Sequence, residues 1–440
     1  MTRVLHQSDP GFAQRFEALL VRKHDDLSAV DATVAAIIAA VRQEGDAALA
    51  RYTKEFDRHE VASSGLRFSD FDIATLADRC DAEIRAALEF AAERIRRYHQ
   101  ALLPTDLDYV DEVGVRLGAR WRPVDSAGIY VPGGTAAYPS SVLMNAIPAR
   151  VAGVARIAMT VPTPDGKANP AVFAAAQMAG VSEIYRIGGA QAIAALAFGT
   201  ETIEPVDKIV GPGNIYVAAA KKSVFGRVGI DSIAGPSEIT VVADGSNNPD
   251  WIAADLLSQA EHDVNTQAIL ITEDALFAAA VVDAVEHLFK CMARADTARI
   301  SWERNGAIVV SRDRTSAIEL VNRIAPEHLE LAVDSPSDMA AEIRHAGAIF
   351  LGRWTPETLG DYVGGPNHVL PTSGAARFSS GLGVHDFLKR IFILECGPNG
   401  FAALAKPAIV LAHSEGLEGH ARAAELRLRH HNDGPGRDGG

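Results

Sequence analysis

"GIDSIAGPSEITVVAD", residues 229–244, decides how the chain is read. Its first half is a glycine and proline turn, and its second half is a run of β-favouring apolar residues. On its N-terminal side lie the strand-like runs "ARIAMTVP" (155–162), "SEIYRIGG" (182–189) and "KIVGP" (208–212). On its C-terminal side lie "QAILITED" (267–274), "NGAIVVSRD" (305–313), "HLELAV" (328–333) and "GAIFLG" (347–352). Alanine-rich helical segments separate most of them. Repeated strand-helix units of this kind build parallel, doubly wound sheets. The stretch at 229–244 therefore joins two sheets, one ending near Asp231 and the next beginning near Pro236. A cleft between them is the default ligand site.

Outside this core the periodicity changes. From Gly11 to about Gln100 it is helical, as in "AVDATVAAIIAAVRQEGDAALARY" (29–52) and "CDAEIRAALEFAAERIRRYHQAL" (80–102). "VGVRLGARWRPV" (113–124) reads as the strand that opens the βα rhythm. After about residue 375 the rhythm stops, and residues 398–429 read as two helices broken near Ser414 to Gly416. Residues 430–440, "HHNDGPGRDGG", read as a disordered end. The expected organisation is an N-terminal helical segment over 1–110, a first Rossmann-like domain over 111–235, a second over 236–375, and a linker with a helical tail over 376–440.

Composition narrows the function. The 440 residues carry 42 basic and 56 acidic side chains, a net charge of −14, and no basic patch interleaved with aromatics, which disfavours nucleic acid as a partner. Cys80, Cys291 and Cys396 form no C-x-x-C pair, so a cysteine zinc site and a disulfide framework are both disfavoured and a reducing cytoplasm fits. The N-terminal "MTRVLHQSDPGFAQRF" has no apolar core of signal-peptide length, and no stretch approaches the uncharged run a membrane helix needs. A small-molecule partner remains.

Seven stretches carry chemistry. "GGTAAYPSS" (133–141), "RIGGAQAI" (186–193) and "GPGNIYVAAAK" (211–221) each place glycine at a strand-to-helix turn, where free N–H groups meet phosphate or ribose. No G-x-G-x-x-G follows the first strand, so this is not an ordinary dinucleotide fingerprint. "DLLSQAEHD" (255–263) ends a core helix with Gln259 and His262 three apart, a spacing that puts both on one helical face within reach of one metal. In "RIAPEHLEL" (323–331), Pro326 sets Glu327 and His328 in a turn before an apolar strand; a carboxylate and an imidazole side by side suit proton transfer and water activation. "GDYVGGPNHVLPTSGAARFSSGL" (360–382) is a long loop with Asp361, Asn367, His368 and Arg377 as possible ligands. "EGLEGHA" (415–421) puts Glu415 and His420 five apart, about 140° round a helix, so they do not share one face.

Taken in order, "GIYVPGG", "YPSSVLMNAIPARVAG", "GPGNIYVAAAK", "GIDSIAGPSEITVVAD", "DLLSQAEHD", "APEHLEL" and "GDYVGGPNHVLPT" resemble the signatures of the histidinol dehydrogenase family, over nearly the whole chain. The resemblance implies a cytoplasmic homodimer that oxidises L-histidinol through L-histidinal to L-histidine, in the last steps of histidine biosynthesis. It implies two NAD⁺ used in turn, one zinc ion per subunit, two incomplete Rossmann-like domains, and a small tail domain that reaches the partner's site. Carried over residue by residue, the implied zinc ligands are Gln259, His262, Asp361 and His420. Glu327 is implied to activate water and His328 to act as base in both oxidations. Tyr130, Gln191 and Asn214 match NAD contacts; Ser237, His368 and Glu415 match substrate positions, together with His328 and the metal ligands. The chain departs from the pattern after "DFLKR", where Ile391 stands in place of an expected threonine. A same-fold group acting on sulfopropanediol shares the metal and catalytic motifs, and a catalytically silent relative is the reading from another class; "ARFSSGLGVHDFLKR" sides with the histidinol group.

Overall fold

The computed structural model describes residues 2–20, 28–62, 65–133 and 138–432. The chain forms two compact units: Met1–Leu102 with Val124–Phe387, and Leu103–Pro123 with Leu388–Gly440.

The first unit holds two parallel sheets. The five-stranded sheet runs in the order Glu183–Tyr185, Arg156–Thr160, Ser126–Tyr130, Lys208–Val210, Gly229–Ile230. The six-stranded sheet runs Val4–His6, Ala307–Val310, Gln267–Thr272, Glu238–Ala243, His328–Ala332, Ala348–Leu351. In each, the chain leaves the first strand to one side, returns, and continues on the other. The switch therefore falls between Ser126–Tyr130 and Lys208–Val210 in one sheet, and between Glu238–Ala243 and His328–Ala332 in the other. Helices cover both faces, so Ser126–Tyr130, Glu238–Ala243 and His328–Ala332 are buried along their whole length, and Lys208–Val210 is buried beyond Lys208. The turn at Gly235 joins the sheets as expected. Val4–His6, which the helical reading of the N-terminus passes over, adds an edge strand beside Ala307–Val310.

Local sequence sets the elements that matter for the site. The helix Pro249–Ala260 starts because Asn248 accepts the Asp250 N–H at 2.9 Å and Pro249 suits its first turn. It buries Ile252, Ala253, Leu256, Leu257 and Ala260 against Phe277, Val281 and Trp302; each leucine contributes about 1.5–3 kcal/mol of burial. The helix Arg314–Ile324 ends at Ala325, which takes a left-handed conformation at φ 50°, and Pro326 then blocks continuation.

The second unit is an antiparallel sheet of Leu388–Cys396, Val115–Pro123 and Leu107–Val110 in that order, followed by the helices Pro398–Ser414 and Glu418–Asn432. The strand at Val115–Pro123 is present as expected, but it pairs antiparallel with Leu388–Cys396 and does not open the parallel sheet. The helix break falls at Glu415 to Leu417, with Gly416 at φ 72°. Residues 433–440 of the expected disordered end lie outside the described residues. Among the described residues, no helix is long and apolar enough to cross a membrane.

Candidate active site

The chemistry-bearing residues of the six-stranded sheet gather at its amino edge, where strands begin and helices end. Glu327 lies in the turn after Pro326, and His328 is the first residue of its strand, where the run "HLELAV" begins. Gly347 closes the back of this turn; a Cβ there would lie 2.6 Å from the Glu327 carbonyl oxygen, so only glycine allows the approach.

Glu327 and His328 are both buried. The Glu327 carboxylate accepts the Glu238 N–H at 2.8 Å and lies 3.7 Å from His328 Nδ1. His328 Nδ1 is 3.0 Å from the Glu238 carbonyl oxygen, which makes Nδ1 a donor and turns Nε2 into the site. There Nε2 lies 3.5 Å from both Glu357 Oε1 and Asp361 Oδ1. These three groups form a cluster able to hold a metal ion.

Charge decides how the cluster behaves. Burial pushes Glu327 up to about 8, and Glu357 likewise up to about 8. Burial alone would lower His328, but Glu357, Glu327 and Asp361 outweigh it and hold the imidazole well above its ordinary value. Asp361 goes the other way: against its burial, the hydrogen bond and charge of His328 keep its carboxyl low. Three carboxyl groups thus face one imidazole, an acidic excess that suits a divalent cation.

Gln259 is buried near the end of its helix, and its Nε2 donates to Glu357 Oε1. Its Oε1 is buried without a hydrogen-bond partner. His262 does not continue the helix as the spacing suggests: the helix stops at Ala260 with Glu261 as its cap, and His262 lies in the following turn, its N–H on the Gln259 carbonyl at 3.0 Å. It still senses Asp361 and His328, and desolvation lowers its proton affinity. His368 is held by the Asp361 carbonyl oxygen at 2.9 Å from Nδ1 and lies 3.5 Å from Ser141 Oγ; burial lowers it too. Ser237 precedes the Glu238 strand at the same edge.

Two loop candidates hold backbone groups. Asn367 donates to the Met144 carbonyl and accepts the Val369 N–H, while Arg377 donates to the Arg323 carbonyl. Glu415 and His420 belong to the second unit, Glu415 as the cap of Pro398–Ser414 and His420 in the first turn of Glu418–Asn432; both are exposed. Glu357 was missed by sequence reasoning. Its signal is "PETLGD" (356–361), which puts Glu357 and Asp361 four apart on one helical turn.

The five-stranded sheet presents a different edge. Tyr130 ends its strand, buried, its hydroxyl accepting the Gly189 N–H at 3.1 Å. Gln191 sits in the first turn of Gly189–Phe198, buried, with Oε1 unpartnered. Asn214 caps Ile215–Val224, its Oδ1 accepting from Tyr216 and Val217 at 3.1 and 3.2 Å. At the switch point Gly211 (φ 120°) lies so near Tyr130 that a Cβ would come 2.2 Å from its carbonyl oxygen. All three turns are at carboxyl ends of strands, as expected; residues 134–137 of the first lie outside the described residues.

The chain matches the family model for histidinol dehydrogenase over residues 20–428. It is 58% identical to a histidinol dehydrogenase of Ruegeria pomeroyi over 428 residues, 97% of this chain and 99% of that protein. It is 57% identical to one of Rhodospirillum rubrum over 425 residues, 96% and 98% of the two chains. A crystal structure of histidinol dehydrogenase from Elizabethkingia anophelis superposes with a TM-score of 0.92 at 36% identity, covering 97% of this chain and 98% of that one.

Proposed function

The chain belongs to the histidinol dehydrogenase family, and on that premise we propose that it carries out an NAD⁺-dependent, zinc-assisted, four-electron oxidation of L-histidinol through L-histidinal to L-histidine. The oxidation itself is the family's activity in histidine biosynthesis. The finer reading rests on the residues. NAD⁺ lies at the glycine turns of the 111–235 region, against Tyr130, Gln191 and Asn214. The chemistry lies in the 236–375 region.

One observation carries this reading: the buried Glu327–His328 pair faces an excess of carboxylate beside the free Oε1 of Gln259. An unpartnered carbonyl oxygen, an imidazole and a carboxylate form a donor set that zinc accepts. Gln259, His262 and Asp361 would hold the ion, with His420 of the partner subunit. When bound, zinc supplies positive charge that anchors the amino alcohol, and NAD⁺ supplies the hydride acceptor. The cluster of His328, Glu357 and Asp361 offers a second ligand set, but ligation through His328 Nε2 would remove the base from the reaction.

His328 Nε2 takes the hydroxyl proton of the alcohol as its carbon gives up hydride, forming the aldehyde and one NADH. As a water oxygen bonds to the aldehyde carbon, Glu327 takes a proton from the water and His328 returns its proton to the aldehyde oxygen, giving the hydrate. His328 then takes one hydroxyl proton of the hydrate as the second hydride leaves, giving a second NADH and the carboxylic acid, whose remaining proton passes to solvent. Ser237, His368 and Glu415 of the partner subunit shape the substrate's surroundings.

The second unit supports a homodimer. Its strand Leu388–Cys396 is mostly exposed along its length, and Tyr109, Val110, Phe392, Leu394, Val410 and Leu411 add apolar surface of the kind another chain covers. Free cysteines at positions 80, 291 and 396 suit the reducing cytoplasm. NADH release from L-histidinol tests the whole: two NADH per histidinol, abolished by a chelator and restored by zinc, are expected. No NADH from histidinol but turnover of a sulfonated diol would overturn the substrate assignment.

A further inference from the structure

Glu357 stands apart from the other groups at the amino edge because everything around it holds it still. Its own N–H donates to Glu330, its Oε2 accepts from Ser258 Oγ at 3.3 Å, and its Oε1 accepts from the Gln259 amide. Ser258 shares its one hydroxyl proton between Glu357 Oε2 and the nearer Asp255 carbonyl at 2.7 Å. The amide of Gln259 has two faces, and its terminal torsion is broad and close to two-fold, so nothing within the side chain fixes which face points where. The NH₂ of Gln259 faces Glu357 Oε1, which accepts from it, and the carbonyl oxygen, buried and unpartnered among the described residues, faces away.

We propose that Glu357 is a positioning residue: by accepting from the Gln259 NH₂ it keeps Gln259 Oε1, the only cation-binding atom of that amide, turned toward a bound divalent metal ion. This inference rests on the metal reading above and assigns Glu357 no direct bond to the ion. Without Glu357 the amide turns over freely and offers NH₂ to the cation part of the time, which weakens binding.

The test is a cycle of zinc affinities, measured on the full chain by competition with a chromogenic chelator, with far-UV circular dichroism as a check on folding. Glu357→Leu is expected to weaken zinc about 10–100-fold, the usual cost of losing a group that orients a ligand. Gln259→Glu replaces the amide with a carboxylate whose two oxygens are alike and need no orienting. In that background Glu357→Leu should cost nothing, or tighten binding by removing a like charge. Equal losses in both backgrounds would make Glu357 a ligand in its own right and overturn the proposal. Should the leucine variant not fold, Glu357→Gln keeps the shape and one accepting oxygen, with the same pattern expected at smaller amplitude. A parent chain that takes up no zinc overturns the metal reading and this inference with it; a parent that binds zinc while the cycle is additive overturns this inference alone.

Discussion

The two parallel sheets share a strand order yet are used at opposite edges. In the five-stranded sheet the candidate groups sit where strands end and helices begin: Tyr130, Gln191 in the first turn of Gly189–Phe198, and Asn214 capping Ile215–Val224. In the six-stranded sheet they sit where helices end and strands begin: Gln259 and His262 at the close of Pro249–Ala260, and Glu327 and His328 after Arg314–Ile324. A helix carries about half a positive charge at its start and half a negative charge at its end. The first edge thus favours an anionic pyrophosphate and supplies neutral, glycine-rich contacts. The second favours cations, and its carboxylates reinforce that preference. One strand order, read from its two ends, gives two sites of opposite electrostatic sense.

The sharpest way to break this contrast is to remove a ligand at the cationic edge. His262→Asn should lose zinc and activity together, with kcat/KM down by more than about 100-fold, since even groups one step removed from a metal cost 10–100-fold. A variant that keeps one equivalent of zinc and turns over normally would refute the assignment. Nearly as large is the effect expected at Glu327, where Glu327→Gln should slow oxidation of supplied histidinal about 100-fold or more while slowing that of histidinol to histidinal less. Equal rates of histidinal oxidation in variant and parent would exclude Glu327 as the water base.

The second unit can be tested by mixing. His420→Ala and His328→Ala chains should each be inactive, yet random pairing of the two should restore on the order of a quarter of the sites if each tail serves its partner. Heterodimers detected by native mass spectrometry without recovered activity would mean that the tail serves its own chain. At the neutral edge the effects shrink. Gln191→Leu should raise the KM for NAD⁺ about tenfold, as expected for one lost hydrogen bond, with kcat and zinc content unchanged. A loss of zinc there would dissolve the contrast between the edges.

The smallest effect concerns Asp57, a buried carboxyl close enough to Tyr130 to act on it, whose burial raises it to about 6. The folded value lies above the unfolded 3.8, so the fold binds this proton more tightly. That stabilisation is present below about pH 4 and fades as pH rises through 6. Asp57→Asn should therefore stabilise the protein by about 1–3 kcal/mol at pH 8 and by far less at pH 4. Urea unfolding at the two pH values reads the difference, and a pH-independent shift would contradict it.

How far the sequence alone reaches follows from which forces are local. The strand Glu238–Ala243 after Gly235 is legible because burial on both faces forces a continuous apolar run, and Glu327 with His328 is legible because Pro326 marks a turn. The antiparallel sheet is not: Leu388–Cys396 is mostly exposed along its length and so shows no alternation, and its partner Val115–Pro123 lies some 270 residues away in the chain. Gln259 and His262 were legible as a pair, but the helix stop between them was not, since Glu261 is an ordinary helix former. Glu357 escaped because a lone Pro-Glu at a helix start is commonplace, and only the fold brings it against Gln259 and His328.

On the proposed reading the metal belongs to the amino edge of the six-stranded sheet. Diffraction from crystals grown with zinc, recorded on either side of the zinc absorption edge, tests it most directly. One anomalous peak per subunit is expected about 2.0–2.2 Å from Gln259, His262 and Asp361. A peak on His328, Glu357 and Asp361 that leaves Gln259 and His262 unbound, or one at the carboxyl edge of the five-stranded sheet, would contradict it.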